Sequence, residues 1–207
     1  MRIEKIYPRG FAANSYIVTS GGKQGVVIDP SGDWVYAAAM QAGLEITHVL
    51  LTHGHYDHVG GVNDFRKSNA QVLCGVGEKT AMGTSSLLFH YAEEAGMRFP
   101  IDAYLADGEE MLVDNLRIQC IAAPGHTAGS CLYLIMDTKT GEEALFTGDT
   151  LFLGTIGRTD LPTGNVGEMM SSLRKITAFS KNYPVYAGHG EDTTLEDEKR
   201  GNPYLQR

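Results

Sequence analysis

Residues 52–58 read Thr-His-Gly-His-Tyr-Asp-His and directly follow the apolar run Val-Leu-Leu at 49–51. Imidazole nitrogens and carboxylate oxygens are donors that suit zinc, iron and manganese. In an extended segment alternate side chains point the same way, so His53 and His55 can share one ion. Asp57 and His58 follow at the turn and can face a second metal ion. The stretch therefore predicts a loop that holds two metal ions.

Three further ligand-type residues each follow a strand-like segment and stand beside a glycine. They are His126 in Pro-Gly-His-Thr, Asp149 in Thr-Gly-Asp-Thr and His189 in Ala-Gly-His-Gly. Each one alone has an ordinary interpretation, as a packed histidine or a turn aspartate. The repeated order of strand, turn and ligand favours one shared metal centre. We expect the two remaining histidines, His48 and His90, to be structural.

Composition narrows the class of protein. The 207 residues are 43% apolar and 20% charged, which is typical of a globular protein. The net charge of −8 argues against a nucleic-acid surface. The first residues lack the apolar core of a signal peptide and no segment is long enough for a membrane span, so we expect a cytoplasmic protein. Three scattered cysteines predict buried free thiols.

Hydrophobic periodicity predicts alternating strands and helices, which indicates a single layered α/β domain over residues 1–207. Strands are predicted at 3–7, 15–19, 26–29, 47–51, 71–74, 111–113, 116–122, 131–136, 144–147 and 185–186. Helices are predicted at 34–41, with Asp33 as the N-cap, and at 62–67, 78–82, 85–95 and 166–179. The last of these should bury one face, formed by Met169, Met170, Leu173, Ile176 and Phe179.

The pattern His-x-His-x-Asp-His at 53–58, followed by His126, Asp149 and His189, resembles the metallo-β-lactamase superfamily. The resemblance covers the whole chain. It implies a four-layer αββα sandwich of two mixed sheets flanked by helices, with the metal site at one edge between the sheets.

The resemblance also implies the ligand sets of two divalent metal ions. The first ion would be held by His53, His55 and His126, and the second by Asp57, His58 and His189. Asp149 would bridge the two ions and Asp57 would also orient the attacking water, so these two carboxylates are the catalytic candidates. Zinc is favoured, with iron and manganese as alternatives.

Within the superfamily the chain resembles short bacterial members of the glyoxalase II group, the hydroxyacylglutathione hydrolases. The resemblance lies at residues 148–152, 157–162, 188–190 and 198–204. Full-length glyoxalase II enzymes continue into a helical domain that helps to bind glutathione. This chain ends soon after its Asn-Pro step, so we expect that domain to be missing.

The function implied is hydrolysis of a small thioester or ester by a metal-bridging hydroxide, most closely that of a hydroxyacylglutathione hydrolase. No side-chain nucleophile is expected, because a Gly-x-Ser-x-Gly motif is lacking. The alternative is a persulfide (sulfur) dioxygenase of the same superfamily, with one iron on two histidines and Asp149. A scaffold protein that lost the chemistry, and a nuclease, are less favoured. The oligomeric state stays open.

Five other residues are weaker candidates for contact with substrate. Arg158 could brace the site together with Asp160, or the two could form an ordinary surface ion pair. Tyr91 lies in a segment that could wall the site or simply pack as a helix. Three residues near the end could meet an anionic substrate or be solvated: Lys199, Arg200 and Tyr204.

Overall fold

A computed structural model describes residues 1–81 and 99–206, and the first half of the chain builds a mixed six-stranded sheet. Its strands are β1 (Arg2–Ile6), β2 (Ser15–Thr19), β3 (Gln24–Ile28), β4 (Glu45–Leu51), β5 (Gln71–Gly75) and β6 (Ala103–Leu105), in that spatial order. Strands β1 to β3 pair antiparallel and β3 to β6 pair parallel. A parallel pair needs a crossover connection, and the helices of this half supply the covering layer.

The second half builds another mixed six-stranded sheet and a separate hairpin. The sheet contains β7 (Glu110–Val113), β8 (Leu116–Ala122), β9 (Cys131–Asp137) and β10 (Glu143–Gly148). The hairpin is β11 (Leu151–Phe152) with β12 (Thr155–Ile156), and the sheet is completed by β13 (Pro184–Ala187) and β14 (Thr193–Thr194). The order in the sheet is β14-β13-β10-β9-β8-β7, in which only β10 and β13 pair parallel.

Helices cover the outer face of each sheet. The described helices are α1 (Asp33–Gln41), α2 (Tyr56–Val59), α3 (Val62–Arg66), α4 (Glu78–Ala81), α5 (Val166–Thr177) and α6 (Leu195–Gly201). None of these described helices is long and apolar enough to cross a membrane. Asn165 caps α5 by accepting hydrogen bonds from the backbone N–H groups of Gly167 and Glu168.

The core is divided by the alternation of side chains along each strand. On β2, Val18 packs between the two sheets, whereas its neighbour Ile17 packs on the helical side, against Val35 of α1. On the far side of the second sheet, Leu145 of β10 packs against Leu173 of α5. The layers are therefore helix, sheet, sheet and helix, which confirms the predicted metallo-β-lactamase fold.

Several local predictions are confirmed and others need correction. The predicted apolar face of α5 is buried or half-buried, and all three cysteines are free and buried. Asp33 is not an N-cap: α1 begins at Asp33, and Gly32 precedes it without a side-chain cap. The Trp34 ring lies over Gly32, where a Cβ would come within 2.0 Å of it. The helix predicted at 85–95 and His90 lie outside the described residues.

Candidate metal centre

The ligand-type residues predicted from the sequence converge at one edge between the sheets. His53 and His55 follow β4, His126 follows β8, Asp149 follows β10 and His189 follows β13. Strand ends therefore deliver side chains from both sheets to one place. Three groups of three residues are found there among the described residues, and within each group the ligand atoms lie within 4.8 Å of one another. Two of these groups match the predicted sets.

The first group consists of three histidines whose ring nitrogens face one point. His55 Nδ1 lies 3.1 Å from His53 Nε2 and 2.9 Å from His126 Nε2. The second nitrogen of His126 contacts the carbonyl oxygen of Arg158 at 2.8 Å, and that of His53 contacts Thr52 Oγ1 at 3.1 Å. These outer contacts fix the ring orientations and leave the inner nitrogens as donors for a cation.

The second group consists of Asp57, His58 and His189, and Asp149 stands between the two groups. His189 Nε2 lies 3.3 Å from Asp57 Oδ2 and 3.5 Å from Asp149 Oδ2. Asp149 Oδ1 is 3.3 Å from His58 Nε2, while Asp149 Oδ2 is 3.5 Å from His126 Nε2. One carboxylate thus touches members of both groups.

Two buried atoms at this centre fit a bound cation. His58 Nε2 and Asp149 Oδ1 are buried and lie 3.3 Å apart, yet neither atom forms a hydrogen bond of good geometry among the described residues. Buried polar atoms normally have partners, and an unmade interaction is costly. A metal ion would satisfy both atoms, and imidazole with carboxylate is a donor set for zinc, iron or manganese.

Asp29, which was not predicted, supports this centre from behind. Its Oδ2 lies 2.9 Å from His58 Nδ1 and accepts a hydrogen bond from Thr52 Oγ1 at 2.6 Å, and its Oδ1 accepts one from Thr52 N at 2.8 Å. The side chain is buried, and its backbone has φ of 47°, in the left-handed region. Asp29 follows the apolar end of β3, so the strand–turn–carboxylate pattern was present in the sequence and could have revealed it.

Glu78 is a second unpredicted buried carboxylate, and it joins two ligand loops. It accepts hydrogen bonds from Thr127 Oγ1, next to His126, and from the backbone N–H of Gly54, between His53 and His55. Burial raises the pKa of Glu78 to about 7, although these hydrogen bonds oppose the shift. No feature of the sequence marks this residue, because its burial comes from tertiary packing alone.

The protein environment keeps the first group neutral and the second group charged. Burial holds the pKa of His53 well below its ordinary value and lowers that of His55 to about 3. Burial opposes charge on His58 too, but Asp149 and Asp29 raise its pKa well above the ordinary range. Hydrogen bonding to Asp149 and Asp57 raises the pKa of His189 to about 9. A metal ion would replace the protons that now compensate these carboxylates.

A glycine makes room for the carboxylate that joins the two groups. A Cβ on Gly188 would lie 2.2 Å from Asp149 Oδ1 and 2.8 Å from His58 Cε1. The chain can therefore pass beside the centre only without a side chain at this position.

An open cavity of about 400 Å³ leads to the centre. It is lined by His55, Tyr56, Asp57, His126, Asp149, Phe152, Gly157, Arg158, Leu161 and His189. Phe152 lies with its ring centroid 6.1 Å from that of His189. The cavity thus combines the polar groups of the centre with an apolar wall, which is the usual character of a small-molecule site.

Of the weaker candidates for contact with substrate, only some lie near the cavity. Arg158 lines the cavity and pairs with Asp160 at 2.7 Å, but both side chains are exposed, so the pair lies on the surface. Lys199 donates to the carbonyl of Phe179, and Arg200 pairs with Glu196 of its own helix. Neither these two residues nor Tyr204 lines the cavity, and Tyr91 lies outside the described residues.

Converging histidines and carboxylates at the edge of an αββα sandwich define the class as a metalloprotein of this fold. The model of the metallo-beta-lactamase superfamily matches residues 8–189, so the chain belongs to that superfamily. It is a metallo-hydrolase, and the His/Asp cluster could hold its metal ions.

Three relatives illustrate the similarity. Hydroxyacylglutathione hydrolase GloC of Haemophilus influenzae is 34% identical over 217 residues, covering 99% of this chain and 98% of the relative. The crystal structure of BLEG-1 B3 metallo-beta-lactamase has a TM-score of 0.86 at 28% identity and covers 100% of both chains. That of ETHE1 from Myxococcus xanthus has a TM-score of 0.79 at 27% identity, covering 100% of this chain and 86% of the other.

Proposed function

We propose that this protein is a dinuclear metallo-hydrolase of the hydroxyacylglutathione hydrolase type, cleaving a small thioester or ester. The observation that carries the proposal is the position of Asp149, whose carboxylate lies 3.5 Å from His126 of the first group and 3.3 Å and 3.5 Å from His58 and His189 of the second. A single-metal site would need only one of these groups, yet both are assembled and buried or half-buried.

In this proposal the residues divide as the sequence resemblance implied. His53, His55 and His126 would hold one ion, Asp57, His58 and His189 would hold the other, and Asp149, which contacts both groups, would join them. Two bound cations would supply a nucleophilic hydroxide at neutral pH and polarise the substrate carbonyl. Zinc is the favoured metal, since the donor set is nitrogen-rich.

The protein contributes orientation and proton acceptance at this centre. Hydrogen bonding to His189, against the effect of burial, keeps the pKa of Asp57 below its ordinary value. The carboxylate is therefore anionic at neutral pH, and it would accept a hydrogen bond from the attacking water. Tyr56, Phe152 and Leu161 form the apolar part of the cavity and would contact the apolar part of a bound substrate.

The choice of a glutathione thioester is supported by the relative from Haemophilus influenzae, which is named a hydroxyacylglutathione hydrolase and matches almost end to end. The competing proposal is an iron persulfide dioxygenase, for which His126 and Asp149, 3.5 Å apart, would hold the iron with one more histidine. That reaction leaves Asp57, His58 and His189 without a role in metal binding, and for this reason hydrolysis is preferred.

The test is hydrolysis of S-lactoylglutathione by protein loaded separately with zinc, manganese and iron. We expect metal-dependent turnover that His55→Ala abolishes and His48→Ala retains, because His48 contacts Thr47 and lies away from the centre. Turnover by the metal-free protein, or equal turnover by His55→Ala and the wild type, would contradict the proposal. Oxygen uptake with glutathione persulfide by the iron form, without thioester hydrolysis, would establish the dioxygenase instead.

A further inference from the structure

The hairpin of β11 and β12 connects the metal centre to the substrate cavity. Asp149 precedes it, Phe152 of β11 lines the cavity, and Gly157 and Arg158 follow β12 in the same wall. The far end also reaches the centre, since the carbonyl of Arg158 contacts His126 Nδ1. The position of this short element therefore sets the shape of the cavity.

The two ends of the hairpin are anchored, but its turn needs outside support. Leu151 is buried and its carbonyl accepts a hydrogen bond from Thr147 Oγ1 at 2.8 Å. At the other end Gly157 packs so closely that a Cβ would lie 1.7 Å from the carbonyl oxygen of Asp149. The turn is exposed at Leu153. A two-stranded hairpin is marginal by itself, so contacts at its turn determine how firmly it is held.

Those contacts come from two buried polar residues, Glu198 in the middle of α6 and Asn202 directly after the helix. Glu198 Oε2 accepts a hydrogen bond from the backbone N–H of Gly154 at 2.8 Å. Asn202 Nδ2 donates to the carbonyl of Thr155 at 3.0 Å and to that of Phe152 at 3.5 Å. The same amide donates to Glu198 Oε2 at 2.8 Å, and the exposed fractions of Glu198 and Asn202 are 2% and 0%.

Both carboxylate oxygens of Glu198 accept hydrogen bonds. Its second oxygen, Oε1, accepts a hydrogen bond from Thr193 Oγ1 at 2.8 Å, which connects the pair to β14. Hydrogen bonds to a charged, buried acceptor are stronger than neutral ones. Glu198 and Asn202 make all of these hydrogen bonds only when the hairpin is in place. The two residues therefore favour one position of the hairpin turn.

We propose that Glu198 and Asn202 are positioning residues that fix the Phe152 wall of the cavity and thereby determine substrate affinity. The inference rests on the proposed thioester hydrolase function for its effect on turnover. It assigns to the terminal helix a role that its sequence did not indicate: the basic residues Lys199 and Arg200 face other partners, and the buried polar pair acts on the site.

Kinetics of Asn202→Ala provide the first test. We expect KM for S-lactoylglutathione to rise about tenfold, the effect of losing roughly one buried hydrogen bond. The value of kcat should stay within about threefold and zinc content should stay unchanged, because both anchored ends remain. Glu196→Gln is the matched control, since Glu196 lies on the same helix but is exposed. An unchanged KM, or a fall in kcat alone, would overturn the role in specificity.

Amide hydrogen exchange tests the same inference without any substrate. Asn202→Ala and Glu198→Gln should both speed exchange in residues 151–157 and leave β10 and β13 unchanged, while Glu196→Gln should resemble the wild type. Unchanged exchange in the hairpin of both variants would overturn the proposal. If the wild type hydrolyses no thioester but the hairpin exchanges faster in the variants, the proposed substrate is wrong, whereas the positioning role of Glu198 and Asn202 stands.

Discussion

Asp29 Oδ2 lies 2.9 Å from His58 Nδ1, and this contact directs His58 Nε2 toward Asp149. Both residues are buried, and they come from different segments: Asp29 follows β3 and His58 lies in α2. A carboxylate behind a metal-binding histidine fixes the orientation of the ring and raises its basicity. The second ligand group therefore depends on a residue that would not itself touch the metal.

Asp29→Asn should weaken binding of the second metal ion by about 10–100-fold, the usual effect of losing such a partner. The amide can still accept the hydrogen bond from Thr52 N, so the loop should keep its place. Zinc titration followed by calorimetry measures the two affinities separately. Asp33→Asn, an exposed aspartate nearby in the chain, serves as the control. Equal affinities in Asp29→Asn and wild type would refute this role.

Gly188→Ala should remove metal from the centre without unfolding the sheets. The added methyl group would lie 2.2 Å from Asp149 Oδ1, so the carboxylate that joins the two groups must move. We expect turnover to fall by more than about a hundredfold, beyond the effect typical of an outer partner. The control is Gly201→Ala, where nothing lies within 4 Å of the new atom. Metal analysis and circular dichroism separate loss of metal from loss of fold.

Glu78→Gln should change how stability depends on pH. Glu78 has a pKa raised to about 7 in the folded protein from an ordinary value of 4.5. Between these values the folded state keeps a proton that the unfolded state has lost. The contribution of Glu78 to stability is therefore complete below about pH 4.5, declines as the pH rises and levels off above about 7.

The measurement for Glu78 is Tm of wild type and Glu78→Gln across that pH range. Glutamine stays neutral, and the histidine titrations are common to both proteins, so the difference isolates this carboxyl group. We expect wild type to lose stability relative to the variant as the pH rises from about 5 to about 7.5. A Tm difference between the two proteins that is constant with pH would show that Glu78 is ionised in the folded protein over this range, contrary to the raised pKa.

Removal of metal should lower thermal stability, and zinc should restore it. A ligand that binds only the folded state at a thousand times its Kd adds about 4 kcal/mol to the free energy of unfolding. Magnesium, which prefers all-oxygen sites, should have no such effect. A Tm that is the same after chelation and after addition of zinc would show that the histidine groups do not bind it.

The sequence predicted the layered fold because the signals involved were local. Alternating apolar residues marked most strands of the two sheets, and the glycine-flanked histidines marked their ends. The boundaries shifted where neighbours decide them: β1 runs over Arg2–Ile6 rather than 3–7, and α5 ends at Thr177 rather than 179. Those ends depend on pairing with β2 and on packing against the second sheet, which periodicity does not report.

The roles that the sequence did not reveal, those of Glu78 and Asn202, depend on contacts between residues far apart in the chain. Glu78 is 49 positions from Thr127, and Asn202 is 47 from Thr155. Neither belongs to a motif of ligands, and a buried glutamate or asparagine is rare enough that composition argues against it. The charged residues Lys199 and Arg200 attracted attention instead, because charge is visible in a sequence whereas burial is not.

The central claim is that this centre works with two metal ions joined by Asp149. The most direct measurement is turnover of S-lactoylglutathione as metal-free protein is titrated with zinc, with bound zinc counted by mass spectrometry. We predict that activity develops fully only as the second equivalent binds, and that Asp149→Asn neither binds it tightly nor turns over. Full activity at one equivalent, unchanged by the second, would contradict the account.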